Sequence, residues 1–257
     1  MAIGLFVIGD EILSGKRQDR HFAKVLELLH ARGIELGWAQ FLGDDETAIA
    51  EAIRAVVARG DVLLSCGGIG ATPDDCTRQA AALAFGAPLQ RHREAAAMLV
   101  EHYGDAATPN RLLMTDFPLG AGLIPNPVNR VPGFRFGHCY FVPGFPEMAW
   151  PMLEWVLDTQ LQHLHRAAPD VEFRLRAVGT SGEGDLLDLM RDTLARHPGL
   201  RLSSLPSRAL AGGPRHIEFG FKAQAALAAA AYRHFADGLR HFPDLTIEPL
   251  AAPPADA

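Results

Sequence analysis

The chain has 257 residues, of which 48% are hydrophobic and 21% are charged, and its net charge is −6 at pH 7. This length is enough for one large or two ordinary domains, and the composition is that of an average soluble globular protein. The negative charge argues against binding to nucleic acid or to anionic membranes, and no apolar run is long enough to span a bilayer.

The three cysteines, Cys66, Cys76 and Cys139, include no CxxC pair. Their spacing predicts neither a zinc knuckle nor a disulfide framework, and reduced thiols are typical of the cytoplasm. The amino terminus lacks the basic segment of a signal peptide, and its apolar residues are those of a first strand. We therefore expect a cytoplasmic protein that does not associate with membranes.

Strands and helices alternate in the first part of the chain. Apolar runs predict the strands, and apolar residues at helical spacing predict the helices. The predicted strands cover 3–8, 34–42 and 61–66, and the predicted helices cover 20–31, 45–59, 74–85 and 91–104. This alternation predicts an α/β fold with a doubly wound, mostly parallel sheet that is covered on both faces.

Prolines punctuate the next segment and indicate short strands and ordered loops over 117–146, followed by a helix over 147–164. A weak boundary follows near residue 166. The later predicted elements are strands over 171–178, 201–205, 215–222 and 245–248, helices over 183–196 and 223–239, and a turn at Gly212-Gly213. This βαββαβ order is that of a ferredoxin-like α+β domain.

These patterns predict three parts of the chain. The first is an α/β domain over 1–166, and the second is a small α+β domain over 167–250. The last part, 251–257, is expected to be a disordered tail, because it is rich in alanine and proline and lies at the chain terminus.

The most informative segment is a glycine loop after the third predicted strand, whose candidate ligand-binding residues are Gly67, Gly68, Gly70 and Thr72. Its glycines let a ligand approach the backbone, and the N–H groups at the start of a helix attract an anion. Asp74 and Asp75 would repel an anion alone, so the ligand should offer phosphate to the backbone and a metal ion or N–H donors to the acids. Nucleotides with Mg²⁺ and pterin phosphates both meet this requirement.

A structural role is the alternative explanation for part of this loop. Thr72 is a good N-cap residue, and Pro73 suits the first helical position. Asp75, three residues after Thr72, resembles the second half of a capping box. Asp75 is therefore explained equally well as a helix cap. The glycines favour ligand binding instead, because a plain strand-to-helix turn rarely needs three of them.

A second candidate segment follows the first predicted strand. Its candidate ligand-binding residues are Gly9, Asp10, Glu11, Ser14 and Lys16. If the strand order is 2-1-3, the two candidate segments flank one crevice at the carboxyl edge of the sheet. The alternative is that the acids are ordinary first-turn residues and that the lysine is solvated.

The acids of the two segments favour a shared cation, because four carboxylates in one cleft repel one another. Mg²⁺ prefers few carboxylates together with ligand phosphates, so we expect Asp74, Asp75 and Asp10 to hold the metal. Ser14 and Lys16 would then meet the phosphates.

Two proline loops complete the set of candidates. The residues in question are Asn126, Pro132, Gly133, Pro143 and Gly144. Rigid loops of this kind line a flat ring or a phosphate, and they are equally common as plain turns.

Several of these motifs recur together in one known family. They are Gly9-Asp-Glu-Ile-Leu-Ser-Gly15, Gly43-Asp44, Gly67-Gly-Ile-Gly-Ala-Thr-Pro-Asp-Asp75, Pro125-Asn-Pro127, Pro132-Gly-Phe134 and Pro143-Gly144. In this order and spacing the chain resembles the CinA family, whose first domain is similar to molybdopterin-binding domains such as MoaB and MogA. The later residues, 171–248, resemble the small KH-like domain that follows in CinA proteins.

The resemblance implies a ligand and a set of possible activities. It implies binding of molybdopterin or a nucleotide, a homo-oligomer, and possible Mg²⁺-dependent cleavage of the pyrophosphate in ADP-ribose-like nucleotides, with Asp74 and Asp75 as catalytic residues. The alternative is a non-catalytic binding or assembly protein. RNA binding is not expected, because 202–208 contains no GxxG loop.

Three features depart from the family pattern. Residues 16–21, Lys-Arg-Gln-Asp-Arg-His, replace the usual Asn-Thr-Asn-like stretch, and the loop at Pro143–Met148 is one residue shorter. A chain of 257 residues also leaves no room for the deamidase domain of full-length CinA, so that activity is not expected here.

Overall fold

The computed structural model describes residues 1–166, 170–207 and 215–254. Contacts between Cα atoms divide the chain into two compact units, Met1–Arg166 and Ala167–Ala257. None of the helices within the described residues combines the length and the apolar character that a membrane crossing requires.

Unit 1 alternates strands and helices, as the sequence predicts. Its strands are β1 (Ile3–Ile8), β2 (Leu36–Leu42), β3 (Val62–Cys66), β4 (Leu89–Arg91), β5 (Asp116–Pro118), β6 (Gly122–Ile124), β7 (Gly133–Phe136) and β8 (Cys139–Val142). Its α-helices are α1 (Asp10–Leu13), α2 (His21–His30), α3 (Glu46–Arg59), α4 (Thr77–Phe85), α5 (Arg93–Tyr103), α6 (Pro109–Leu112) and α7 (Pro146–Trp155).

The main sheet of unit 1 has the order β2-β1-β3-β8-β7-β6. The first four of these strands are parallel, and β7 and β6 extend the sheet in antiparallel pairing. The predicted mostly parallel sheet and its 2-1-3 start are thus confirmed. A separate two-stranded ribbon pairs β4 with β5.

Strand β1 shows why the sheet is covered on both faces. All six of its residues are buried, and successive side chains point to opposite faces. Leu5 and Val7 belong to a core that packs on α2 and α7, whereas Phe6 and Ile8 belong to a core that packs on α3, α4 and α5. An apolar run without alternation is therefore the sequence signature of this central strand.

Helix α4 begins later than the sequence predicts, at Thr77 rather than at residue 74. The Asp75 carboxylate accepts hydrogen bonds from the N–H (2.9 Å) and the hydroxyl of Thr72, which closes a turn ahead of the helix. Cys76 occupies the N-cap without a side-chain hydrogen bond. The predicted helix start at Thr72 is therefore wrong, although Asp75 makes the predicted bond to the Thr72 N–H, and both acids lie in the loop before α4.

The last helical segment of unit 1 is also less regular than predicted. The α-helix ends at Trp155 and continues as a π-helical turn, Val156–Gln160, and then as a 3₁₀ turn, Gln162–Leu164. This segment still buries the apolar side chains that the sequence places inward, including Met152, Leu153 and Leu157.

Unit 2 is an antiparallel sheet with two helices. Its elements are β9 (Val171–Gly179), α8 (Leu187–Arg196), β10 (Arg201–Pro206), β11 (His216–Ala223), α9 (Ala225–Leu239) and β12 (Leu245–Ala251). The sheet order β10-β11-β9-β12 is that of the predicted ferredoxin-like βαββαβ arrangement. Phe219, Phe221 and Phe235 are the largest fully buried side chains of its core.

Two predictions for unit 2 require comment. Strand β12 runs through Pro249 and Leu250 to Ala251 with a register shift, so the tail starts later than predicted because these residues pair with β9. The predicted Gly212-Gly213 turn lies outside the described residues.

Candidate functional site

A crevice opens where β1 and β3 end side by side. Val7 is paired with Cys66, so Gly9 and Gly67 leave the sheet at the same edge. Both glycines line a cavity of about 270 Å³. The predicted convergence of the two loops is confirmed, and it occurs where open α/β sheets bind ligands, at the reversal of the strand order.

Two glycines bring the loop directly against the end of β1. Gly67 has φ +112°, and a Cβ on it would lie 2.2 Å from the Ile8 carbonyl oxygen. Gly68 has φ +69°, and a Cβ there would lie 2.3 Å from the Thr77 Oγ1 atom, whose hydroxyl donates to the Gly67 carbonyl at 3.1 Å. Only glycine fits these positions, which explains most of the glycine content of the loop.

The glycine loop offers unused backbone donors. The N–H groups of Gly68, Ile69, Gly70 and Ala71 make no hydrogen bond to any described residue. Gly67 is different, because its N–H donates to the Val142 carbonyl at 3.0 Å. A run of free N–H groups beside a cavity is suited to an anion.

Acidic side chains dominate the walls of the same cavity. The carboxylates of Glu11, Asp44, Asp74 and Asp75 line it, and Arg17 is its cationic side chain among the described residues. The Thr72 hydroxyl donates to Asp75 and also lowers the pKa of Asp74. The cavity therefore combines free N–H groups, carboxylate acceptors and a guanidinium group.

Asp44 stands in the cavity wall where the sequence led us to expect Asp10. The Asp10 carboxylate accepts a hydrogen bond from the Asp44 N–H (3.2 Å), and the Asp44 carboxylate accepts one from the Asp10 N–H (2.9 Å). A Cβ at Gly43 would lie 2.6 Å from Asp10 Oδ1, so glycine is needed for this exchange. The Gly43-Asp44 motif was visible in the sequence but had not been assigned to the site.

The acids do not form a ready metal site. Among the described residues, no group of three or more His, Cys, Asp or Glu side chains is arranged to hold a metal ion. The predicted set of Asp74, Asp75 and Asp10 is therefore not assembled around one point by the protein alone. Cys76 adds no nucleophile, because burial, reinforced by neighbouring carboxylates, raises the pKa of its thiol to about 11.

Asp44 makes the stability of unit 1 depend on pH. Partial burial raises its pKa, the Asp10 N–H opposes this, and the carboxylates of Asp10, Glu11 and Asp74 add to it. A carboxyl whose pKa is higher in the folded protein than in the unfolded chain stabilises the fold when it is protonated. This stabilisation is complete below the pKa of the unfolded chain and is lost as the pH rises through the pKa of the folded protein.

We expect Asp44→Asn to raise the melting temperature by about 1–3 °C at pH 7, because the amide oxygen keeps the hydrogen bond without the charge. The difference should shrink as the pH falls through the raised pKa of Asp44, because the wild-type carboxyl then becomes protonated. Differential scanning calorimetry across this range checks it, and a difference that is independent of pH would contradict it.

The proline loops line a second cavity of about 190 Å³, which shares Gly68, Asp75 and Gly144 with the first. Asn126, Pro132 and Pro143 stand in its wall together with Gly70. Asn126 also holds its own loop, since its side chain donates to the Val131 carbonyl (3.0 Å) and accepts from the Val128 N–H (3.0 Å).

Three predicted residues lie elsewhere. Gly133 is buried in β7, where a Cβ would lie 2.4 Å from the Phe141 carbonyl oxygen, so its role there is close strand packing. Ser14 and Lys16 are exposed and do not line these cavities. The structure brings Arg17 to the crevice instead of Lys16.

Phe145 is a wall residue that the sequence did not identify. It lines both cavities and a third, adjoining cavity of about 440 Å³, and 55% of its surface is exposed. An exposed aromatic ring at the meeting point of three cavities can stack on a planar ligand. Its position after Pro143-Gly144 was the available signal.

A cavity of about 530 Å³ lies apart from the crevice, beside β5 and the start of α5. Its Arg91 is already paired with Asp116, and the His92 ring accepts from the Ala95 N–H at 3.3 Å. We place the candidate site in the smaller crevice, because the free N–H groups and the unpaired acids are there.

The fold and the crevice define an α/β domain with a cavity at the switch point of its sheet. Residues 4–163 match the family model described as "Probable molybdopterin binding domain", and the chain belongs to this family. The resemblance to the CinA family is confirmed by its relatives.

Among these relatives is a CinA-like protein of Syntrophotalea carbinolica, which is 32% identical over 187 residues that cover 70% of this chain and 45% of that protein. The chain thus spans about half the length of this relative. A protein of Pyrobaculum arsenaticum is 30% identical over 217 residues, 80% of each chain. The crystal structure of the protein CinA, of unknown function, from Thermoplasma acidophilum has a TM-score of 0.56 and 29% identity, and covers 61% of this chain and 96% of that one.

Proposed function

We propose that unit 1 binds a pterin phosphate of the molybdopterin type, or a nucleotide, in the crevice between the Gly9 and Gly67 loops. One observation carries the proposal. Four consecutive N–H groups, from Gly68 to Ala71, have no partner among the described residues. Gly68 lines the cavity whose other wall is carboxylate, and Ile69 and Gly70 line the adjoining cavity. The description of the family supports the pterin, and the shape of the site is compatible with both.

Each wall of the crevice has a chemical counterpart in such a ligand. The free N–H groups and Arg17 suit phosphate oxygens. The carboxylates of Asp74 and Asp75 suit the paired N–H donors on the edge of a pterin or purine ring. Phe145 offers a face to the ring itself.

Mg²⁺ enters the proposal only as an ion shared with the ligand. Because the described residues supply no three-ligand group, phosphate oxygens would have to complete its coordination. Cleavage of an ADP-ribose-type pyrophosphate is the catalytic form of the proposal. The alternative is a non-catalytic binding or assembly protein. In both cases the proposed protein is a cytoplasmic homo-oligomer.

A ligand panel tests the proposal. The full chain is titrated with molybdopterin-type ligands, ADP-ribose, FAD and NAD⁺, with and without Mg²⁺, by calorimetry and thermal shift, and the mixtures are analysed for pyrophosphate cleavage. Binding with product supports the catalytic form, and binding without product supports the alternative. No binding of any member contradicts the proposal.

We expect Asp74→Asn to weaken ligand binding about tenfold, the usual contribution of a charge-assisted hydrogen bond. Stability should change little, because Asp74 is exposed and precedes α4. Asp105→Asn is the matched control, since Asp105 is exposed and lines none of the three adjoining cavities. Equal loss of stability and affinity would argue against a ligand contact. Asp75→Asn is a less clean test, because it also removes the charge from the Thr72 turn.

A further inference from the structure

The third cavity, of about 440 Å³, adjoins the crevice on the side of α2. We call it the basic lobe and define it by Arg17, Arg20 and His21. Arg17 lines both the lobe and the crevice, and Phe145 stands between them. The two cavities therefore share part of one wall, and one ligand can contact both.

Within the described part of the chain, the arginines of the basic lobe have no anionic partner. Neither guanidinium group lies within 4.0 Å of a carboxylate of the described residues, whereas Arg32, Arg59 and Arg91 are each paired with an aspartate. Arg20 is held instead over the Trp150 ring, 5.3 Å from its centroid. A preoriented guanidinium beside a second one, facing a cavity, is suited to an anion.

His21 is the buried polar group of the lobe, with 5% of its surface exposed. Its Nε2–H donates to the Gly144 carbonyl at 3.0 Å, because a carbonyl can only accept. Its Nδ1 atom is buried and has no partner among the described residues. The N-terminus of α2 is not itself the anion site, since the Asp19 carboxylate already accepts hydrogen bonds from the N–H groups of His21 (2.8 Å) and Phe22 (3.0 Å).

Two carboxylates in the wall narrow the choice of ligand. Glu11 and Glu147 line the same cavity and form no ion pair within the described part of the chain. They would repel a bare anion but accept hydrogen bonds from hydroxyl groups. The lobe therefore suits an anionic group that is attached to a polyol, as in a sugar phosphate.

We propose that the basic lobe is a second anionic subsite, which takes a sugar-linked phosphate of the ligand apart from the group on the glycine loop. The proposal rests on the proposed function of the crevice and specifies its ligand class. The ligand that we propose carries two separate anionic groups and a planar ring that lies against Phe145.

The test uses inorganic phosphate and ribose 5-phosphate as probes on the full chain. Amide resonances are followed by NMR for the wild type, for the single variant Arg20→Gln, for the double variant Arg17→Gln/Arg20→Gln, and for Lys16→Gln. Lys16 is the matched control, because it is exposed, carries the same charge and lines none of the three cavities.

In the wild type we expect both probes to shift the resonances of residues 17–21, and ribose 5-phosphate to bind more tightly. The double variant should bind about 100-fold more weakly, about tenfold for each arginine, and Lys16→Gln should match the wild type. Unshifted resonances at 17–21, or equal affinity of the double variant, would overturn the proposal.

The same variants separate this inference from the proposed function. If the ligand panel fails but ribose 5-phosphate still binds at the lobe, the crevice proposal is wrong and the subsite stands. If a panel member binds the wild type and the single variant Arg20→Gln equally, the crevice proposal stands and the subsite is wrong, because Arg20 lines the lobe and not the crevice.

Discussion

Replacing Gly67 with alanine is expected to lower the free energy of unfolding of unit 1 by about 3 kcal/mol or more, or to prevent folding. The added Cβ would lie 2.2 Å from the Ile8 carbonyl oxygen, a backbone atom at the end of a central strand. Relief would require β1 to separate from β3, which breaks the sheet beside the crevice. A φ of +112° adds strain for any residue with a side chain.

Chemical denaturation followed by tryptophan fluorescence measures this effect in unit 1 alone, since Trp38, Trp150 and Trp155 are the three tryptophans of the chain. Gly60→Ala is the matched control. Gly60 also has a positive φ, +68°, but a Cβ there meets nothing within 4 Å, so we expect a loss of about 1–2 kcal/mol. Equal losses in the two variants would show that backbone strain, and not the contact with β1, is what the glycine relieves.

Replacing Arg78 with methionine is expected to lower the free energy of unfolding by about 3 kcal/mol, because it leaves three partly buried carbonyl groups without their donor. The Arg78 side chain is buried, and its guanidinium donates to the carbonyls of Gly70 (2.6 Å), Leu113 and Asp116 (3.3 Å). It thereby ties the glycine loop to the segment before β5. Burial lowers the pKa of Arg78, and the Asp116 and Asp75 carboxylates oppose this.

The Arg78 variant should also weaken ligand binding, since the Gly70 carbonyl belongs to the loop that presents the free N–H groups. Arg54→Met is the matched control. Its guanidinium donates to a single carbonyl, that of Leu83 (3.0 Å), in an exposed setting. We expect the control to change stability by less than about 0.5 kcal/mol. A control that loses as much as Arg78→Met would refute the role of the buried network.

The residues that the sequence identifies most directly are those whose environment is set by neighbours along the chain. The uninterrupted apolar run of β1 predicted a central strand, because a strand buried on both faces needs no polar residue. The three closely spaced glycines predicted a loop that a ligand can approach, and the structure adds that two of them are needed for contacts with Ile8 and Thr77. The element order predicted both sheets, because each βα pattern leaves few ways to pair the strands.

Tertiary structure decided the remainder of the candidate site. Asp44 lines the cavity where Asp10 was expected, and the two residues exchange a pair of hydrogen bonds although they are 34 positions apart in the chain. Phe145 and Arg17 join the crevice because separate loops meet there. The predicted start of α4 was wrong because Thr72 and Pro73 are typical of a helix start. In the structure a loop is closed first, by the hydrogen bond from the Thr72 N–H to Asp75 and by the one from the Thr77 N–H to the Gly68 carbonyl (2.9 Å). Local propensity describes only near neighbours, so contacts between distant segments are not visible in it.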